Sequence, residues 1–162
     1  MSFVLGSLSR KNLIGVHPDL VKVTEGAITI TPVDFRVQEG LRTLVRQKKL
    51  FEAGASTTLD SQHLVQRDGF GHAVDLVPYI DFDGDGDSEL RWDWPLGYKI
   101  AEAMQKSALG CGVKIRWGGC WDQELTSLGD PEMAALAYVR RRDALGRRAF
   151  LDSPHYELWR KG

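Results

Sequence analysis

The sequence predicts an α+β protein whose small, mainly antiparallel sheet is flanked by helices. Segments with the apolar spacing of helices alternate irregularly with short apolar runs typical of strands. No regular βαβ order emerges, which argues against a parallel sheet. The chain has 162 residues, of which 43% are hydrophobic, and this is enough to bury one core. We therefore expect a single domain over residues 1–162.

The first half of the chain carries two helical patterns. Residues 17–27 predict a helix with Pro18 in its first turn. Asp34 is a suitable N-cap for a second helix over residues 35–53, which Gly54 would end. The apolar residues that recur there at helical spacing are Val37, Leu41, Leu44 and Val45.

The middle of the chain predicts a strand, a turn, a second strand and a helix. Residues 73–80 form an apolar run typical of a buried strand, and residues 90–94 indicate another. Between them, residues 81–87 read Asp-Phe-Asp-Gly-Asp-Gly-Asp, a strong turn signal. A helix should follow over residues 95–109 and end at the glycines that begin with Gly110.

The last third predicts a strand over residues 113–117 and then a helix over residues 131–145. Asp130 would cap that helix, with proline in its first turn. Residues 150–151 and residues 155–158 would supply a final short strand.

Composition excludes several classes of function. The formal net charge is −1, so a general nucleic-acid binder is not expected. Cys111 and Cys120 do not form a disulfide framework and are typical of a reducing cytoplasm. No apolar run is long enough to span a bilayer, and the N-terminal residues do not resemble a signal peptide. We expect a monomer.

Two short stretches carry the residue types of a metal site. His63 and His72 flank a polar loop just before Asp75, and Asp152 lies three residues before His155. A catalytic zinc takes three protein ligands of nitrogen or oxygen type and keeps one open position. An unpaired Asp75 carboxylate would be costly within its apolar run, and a metal would remove that cost.

Each of these residues also has an ordinary interpretation. A lone histidine is more often a core or surface residue than a ligand, and Asp75 could accept buried hydrogen bonds at a strand end. Residues 152–154, Asp-Ser-Pro, are typical of a simple turn. Spacing alone therefore leaves the metal site open.

The motifs together resemble a known family. They are Ser-x-His at residues 61–63, Gly-x-Ala-x-Asp at 71–75 and Asp-x-Pro-His-aromatic-Glu at 152–157. They resemble the zinc-dependent D-alanyl-D-alanine carboxypeptidases, and more closely the phage L-alanyl-D-glutamate endopeptidases of that family, which are endolysins. The resemblance covers nearly the whole chain and implies a LAS-type zinc peptidase domain.

The resemblance also implies roles for individual residues. The implied zinc ligands are His63, Asp75 and His155. Asp152 would be the general base, and Arg42 would help stabilise the oxyanion. Ser61 would bind substrate, and Trp117 would line the cleft.

One departure from the family pattern concerns the first ligand. The gap between His63 and Asp75 is longer than in the family, which we interpret as a loop inserted over residues 64–70. His72 is the alternative ligand. It lies three residues before Asp75, so on a strand the two side chains would point to opposite faces. We therefore favour His63.

The implied function is hydrolysis of the L-alanyl-D-glutamate bond in the peptidoglycan stem peptide. A D-alanyl-D-alanine carboxypeptidase and a non-catalytic cell-wall binding module are the alternatives. The chain has the three implied ligands and also a base, which argues against the binding module because a pure binder needs no base beside the metal. Without an export signal, such an enzyme would be made in the host cytoplasm and act in the periplasm or wall after a membrane lesion.

The acidic turn resembles part of a calcium loop. Positions 1, 3, 5 and 6 of the EF-hand pattern are filled by Asp81, Asp83, Asp85 and Gly86, and Asp87 adds a further carboxylate. Position 12, which should be a bidentate glutamate, is Trp92. The turn is thus either a weak calcium site or only a solvated acidic hairpin.

Overall fold

The computed structural model describes residues 2–160. The helices within this range are α1 (Ser7–Asn12), α2 (Pro18–Ile30), α3 (Leu44–Glu52), α4 (Trp94–Cys111) and α5 (Pro131–Ala144). The strands are β1 (Phe35–Glu39), β2 (Ala73–Ile80), β3 (Glu89–Leu90), β4 (Ile115–Trp117) and β5 (His155–Leu158). The same range contains a 3-10 turn over Leu125–Ser127.

The strands form one antiparallel sheet in the order β1-β2-β5-β4, with β3 paired to the far end of β2. The β2–β5 register places Asp75 opposite His155, and the β4–β5 register places Arg116 opposite Glu157. The predicted α+β class with a small antiparallel sheet is confirmed.

The core lies between one face of the sheet and the helices. Fully buried members come from β1, β2, α4 and β5, among them Val37, Leu76, Met104 and Tyr156. The α2 and α4 helices pack closely, and Ser107 Oγ donates a hydrogen bond to Val23 O at 2.6 Å. None of the helices in residues 2–160 combines the length and apolar character needed to cross a membrane.

The predicted helix over residues 35–53 is wrong. Phe35 and Val37 are buried while their neighbours are more exposed, which is the two-residue period of a strand. After this strand, Gly40 packs directly against the backbone of Asn12. A Cβ at position 40 would lie 1.9 Å from the Asn12 oxygen. Only Leu44–Glu52 is helical, and its N-cap is Thr43 instead of Asp34.

Several other boundaries differ from the prediction. The second predicted strand shrinks to Glu89–Leu90, because Trp94 already begins α4. Residues 150–151 are not in a strand. The helix Ser7–Asn12 was not predicted, since its sequence, SLSRKN, has little apolar periodicity. Gly112, with φ at 67°, is the left-handed residue that ends α4.

Candidate metal centre

Three segments bring their side chains to one point on the open face of the sheet. His63 comes from the loop before β2, Asp75 from β2 and His155 from the first position of β5. Asp75 Oδ1 lies 3.2 Å from His63 Nε2 and 3.3 Å from His155 Nδ1. One ligand atom from each residue lies within 4.8 Å of the others. This group can therefore hold a metal ion.

The outward nitrogen of each histidine has its own acceptor. His63 Nδ1 lies 2.8 Å from Gly40 O, and His155 Nε2 lies 2.9 Å from Glu157 Oε1. Histidines that ligate metals usually donate their second N–H in this way, which fixes the tautomer and turns the lone pair inward. Two imidazole nitrogens and one carboxylate are also the donor set of catalytic zinc sites. The residues thus fit a zinc ion.

Hydrogen bonds and neighbouring charges within the group stabilise the charged forms of His155 and Asp75. Burial opposes the charge of His155, but the carboxylates of Asp75 and Glu157 outweigh it and raise the pKa of His155 to about 10. Burial likewise opposes the charge of Asp75, yet both imidazoles hold the pKa of Asp75 far below its usual value. A cation that binds here therefore replaces a proton on His155.

Asp152 is held at the edge of this group by backbone hydrogen bonds. Its N–H donates to Gly118 O at 2.9 Å, and Gly118 N donates to His155 O at 2.8 Å. A Cβ on Gly118 would lie 2.0 Å from Asp152 O, so only glycine permits this approach. Burial and the nearby Asp75 carboxylate raise the pKa of Asp152. The arrangement suits a carboxylate that accepts a proton.

Arg42 and Ser61 also reach the site. Arg42 donates to both oxygens of Glu39, at 2.8 and 2.9 Å, and to Gln47 Oε1 at 2.7 Å. Its Nη2 lies 3.9 Å from Asp75 Oδ2. Ser61 Oγ accepts a hydrogen bond from the N–H of His63 at 3.2 Å. Both residues line the same cavity as the metal group.

The structure does not bring Trp117 to the cavity. Its side chain is completely buried, and its indole N–H donates to Ser153 O at 2.8 Å. The prediction that Trp117 lines the cleft is therefore wrong. The indole instead positions the segment that carries Asp152.

His72 lies away from the metal group. Its Nε2 is 2.7 Å from Asp68 Oδ2, and its ring meets that of His17 edge-on at 5.3 Å between centroids. His72 thus ties the inserted loop to the start of α2, while His63 faces Asp75.

The cavity around the metal group has a volume of about 430 Å³. Several lining residues were not identified as site residues from the sequence, among them Arg116, Trp121, Phe150, Glu157 and Arg160. Trp121 stacks on the His155 ring, with centroids 5.1 Å apart and planes inclined by 29°. Arg116 reaches the cavity because the strand register places it opposite Glu157. A single sequence does not reveal that register.

The acidic turn lies apart from this cavity. Asp81, Asp83 and Asp85 each offer an exposed carboxylate oxygen within 4.8 Å of the others, whereas Asp87 is outside this group. Backbone N–H groups already bond to these carboxylates: Asp81 accepts from Gly84 at 2.7 Å and from the N–H of residue 86 at 2.9 Å.

Comparisons with known proteins agree with the sequence motifs. A family model described as phage L-alanyl-D-glutamate peptidase matches residues 1–159. The L-alanyl-D-glutamate peptidase of Escherichia phage T5 is 32% identical over 126 residues, which span 75% of this chain and 84% of the relative. The crystal structure of the L-Ala D-Glu endopeptidase ChiX from Serratia marcescens aligns with a TM-score of 0.69 and 32% identity. That alignment covers 98% of this chain and 91% of ChiX.

Proposed function

Because the chain belongs to the phage L-alanyl-D-glutamate peptidase family, we propose that it hydrolyses the bond between L-alanine and D-glutamate in the peptidoglycan stem peptide. The observation that carries this proposal is the convergence of His63, Asp75 and His155 with Asp152 in one cavity. A peptidoglycan substrate places its action at the bacterial cell wall. Since one chain supplies the whole cavity, we propose that a single-domain monomer is sufficient for catalysis.

The metal that fits this donor set best is zinc, held by His63, Asp75 and His155. When bound, zinc lowers the pKa of a water molecule and polarises the scissile carbonyl. The ligand carboxylate of Asp75 stays ionised because its pKa is depressed by both imidazoles. Glu157, on the far nitrogen of His155, keeps that ring oriented and is not placed to act as the base.

Asp152 is the proposed general base. Its carboxylate would accept a proton from the attacking water and return it to the amine that leaves with D-glutamate. A raised pKa suits both steps, because a very weak base would not hold the proton. Arg42, fixed by Glu39 and Gln47, would add positive charge beside the developing oxyanion.

The decisive test is the identity of the cleaved bond. Purified peptidoglycan should be digested with zinc-loaded protein and the released fragments analysed by mass spectrometry. We expect peptides with a new N-terminal D-glutamate, and glycan chains that retain only L-alanine. Release of terminal D-alanine instead would indicate a carboxypeptidase, and binding to the wall without any released fragment would indicate a binding module.

We also propose that calcium binds the acidic turn. Repulsion among Asp81, Asp83 and Asp85 should be relieved by a hard cation with oxygen ligands. Millimolar calcium is therefore expected to raise the melting temperature or the activity, with weak affinity because Trp92 replaces the position-12 glutamate. The double variant Asp83→Asn with Asp85→Asn should lose this response and keep its zinc. Calorimetry without binding heat, together with an unchanged melting curve, would leave only a solvated turn.

A further inference from the structure

Arg116 lies in the cavity of the metal centre without a hydrogen-bond partner. Its side chain is only 20% exposed, and its Nε is buried and unpaired among residues 2–160. The nearest carboxylate oxygen, Glu157 Oε2, lies 3.9 Å from Nη1. A guanidinium carries five N–H donors, and leaving buried donors unpaired is costly. The side chain is thus held ready for an acceptor that the described chain does not provide.

The other arginines of the cavity differ in this respect. The Arg42 side chain donates three hydrogen bonds, two to Glu39 and one to Gln47. Arg160 pairs with Gln62, whose amide oxygen, in the orientation that satisfies both groups, accepts from Nη1 and Nη2 at 3.0 and 3.2 Å. Among the cavity arginines within residues 2–160, Arg116 is the one whose side chain makes no hydrogen bond.

The strand register fixes the position of Arg116 relative to the metal group. Arg116 faces Glu157 across the β4–β5 pair, and His155 lies two residues earlier on the same face. Strand spacing and rise place the backbones of Arg116 and His155 roughly 8 Å apart. The guanidinium carbon lies 4.7 Å from the centre of the Trp159 ring, which orients the group. The distance suits a substrate group a few bonds from the scissile carbonyl.

We propose that Arg116 binds the free α-carboxylate of the D-glutamyl residue and so selects substrates in which that group is not amidated. This inference rests on the proposed function. In the stem peptide the D-glutamyl residue continues through its γ-carboxyl group, so its α-carboxylate stays free. That carboxylate is three bonds from the scissile carbonyl carbon. Arginine pairs with carboxylates through two parallel hydrogen bonds, whereas a carboxamide offers one oxygen and no charge.

Two synthetic peptides test the proposal. They carry the L-Ala-γ-D-Glu-diamino acid sequence and differ only in an α-carboxylate or an α-carboxamide on the D-glutamyl residue. Zinc-loaded wild-type protein is expected to cleave the carboxylate form with a kcat/KM about 10- to 100-fold higher, the effect of one charged hydrogen-bonded pair. Arg116→Gln should cleave both forms equally, with its loss on the carboxylate form mainly in KM.

A matched control is available on the opposite edge of the sheet. Arg36 also lies on a strand with its guanidinium over an aromatic ring, 4.0 Å from the centre of Tyr79, but it does not line the cavity. Arg36→Gln should keep the full preference for the carboxylate. Zinc content and melting temperature, measured for every variant, separate substrate recognition from a structural effect.

The outcomes separate failure of this inference from failure of the proposed peptidase function. If wild-type protein cleaves both peptides equally, selection by Arg116 is overturned and the peptidase function stands. If zinc-loaded wild-type protein cleaves neither peptide, both proposals fail. Should Arg116→Gln not fold, Arg116→Lys takes its place. Lysine keeps the charge without the two-pronged geometry, so an unchanged preference in that variant also contradicts the proposal.

Discussion

Zinc-loaded Asp152→Asn protein is expected to retain about one zinc per chain and to hydrolyse its substrate about two to four orders of magnitude more slowly than wild type. Asparagine has nearly the shape of aspartate, and the backbone hydrogen bond from residue 152 to Gly118 does not involve the side chain. The amide cannot accept the proton of the attacking water. Metal analysis and kcat on a synthetic L-Ala-γ-D-Glu peptide would measure both quantities.

The companion variant is Glu157→Gln. Glu157 accepts the N–H of His155 on the side away from Asp75, so its loss should weaken metal affinity by about 10- to 100-fold. At saturating zinc the kcat of this variant should stay much closer to wild type than that of Asp152→Asn. The reverse pattern would assign the base to Glu157 and contradict the role of Asp152.

His63→Ala is expected to abolish both zinc binding and hydrolysis, and His72→Ala should preserve both. His63 Nε2 faces Asp75 at 3.2 Å, whereas His72 contacts Asp68 on the inserted loop. Removing one of three ligands leaves a site with too few donors for a catalytic zinc. His155→Ala should behave as His63→Ala does. Zinc content after dialysis and turnover at added zinc are the measurements.

The two histidine variants control each other, since the same side chain is removed on either side of one loop. His72→Ala should lower the melting temperature somewhat, because the contact that ties the loop to α2 is lost. Full zinc content in His63→Ala, or zinc loss confined to His72→Ala, would mean that the inserted loop had been placed wrongly between the two halves of the motif.

Much of the fold was predictable where local signals agreed with tertiary packing. The α4 and α5 helices carry proline in the first turn, and α5 also has an aspartate N-cap whose side chain accepts the N–H of Met133. The apolar run of β2 is bounded by turn residues on both sides. The metal group was predictable because its residues sit in short motifs that resemble those of a known family, and His63, Asp75 and His155 come together in the structure.

The failures have a common physical cause. Residues 35–53 hold apolar side chains at spacings that fit a helix, but Phe35 and Val37 belong to a strand whose pairing with β2 lies far away in sequence. The cavity position of Arg116 likewise depends on its register with Glu157, and the burial of Trp117 depends on what packs over it. Such contacts are decided by tertiary structure and leave no local periodicity.

The pairing of Asp75 with His155 has a consequence for how the protein acquires activity. These residues are 80 positions apart, and contacts so distant in sequence tend to form slowly, because a long loop must close first. A partly folded chain whose β5 has not yet docked would lack one ligand and the base at once. Such a chain would have no hydrolytic activity, and it would gain activity only when β5 docks. A metal held across both strands binds only the docked form, so it would act as a cross-link that resists unfolding.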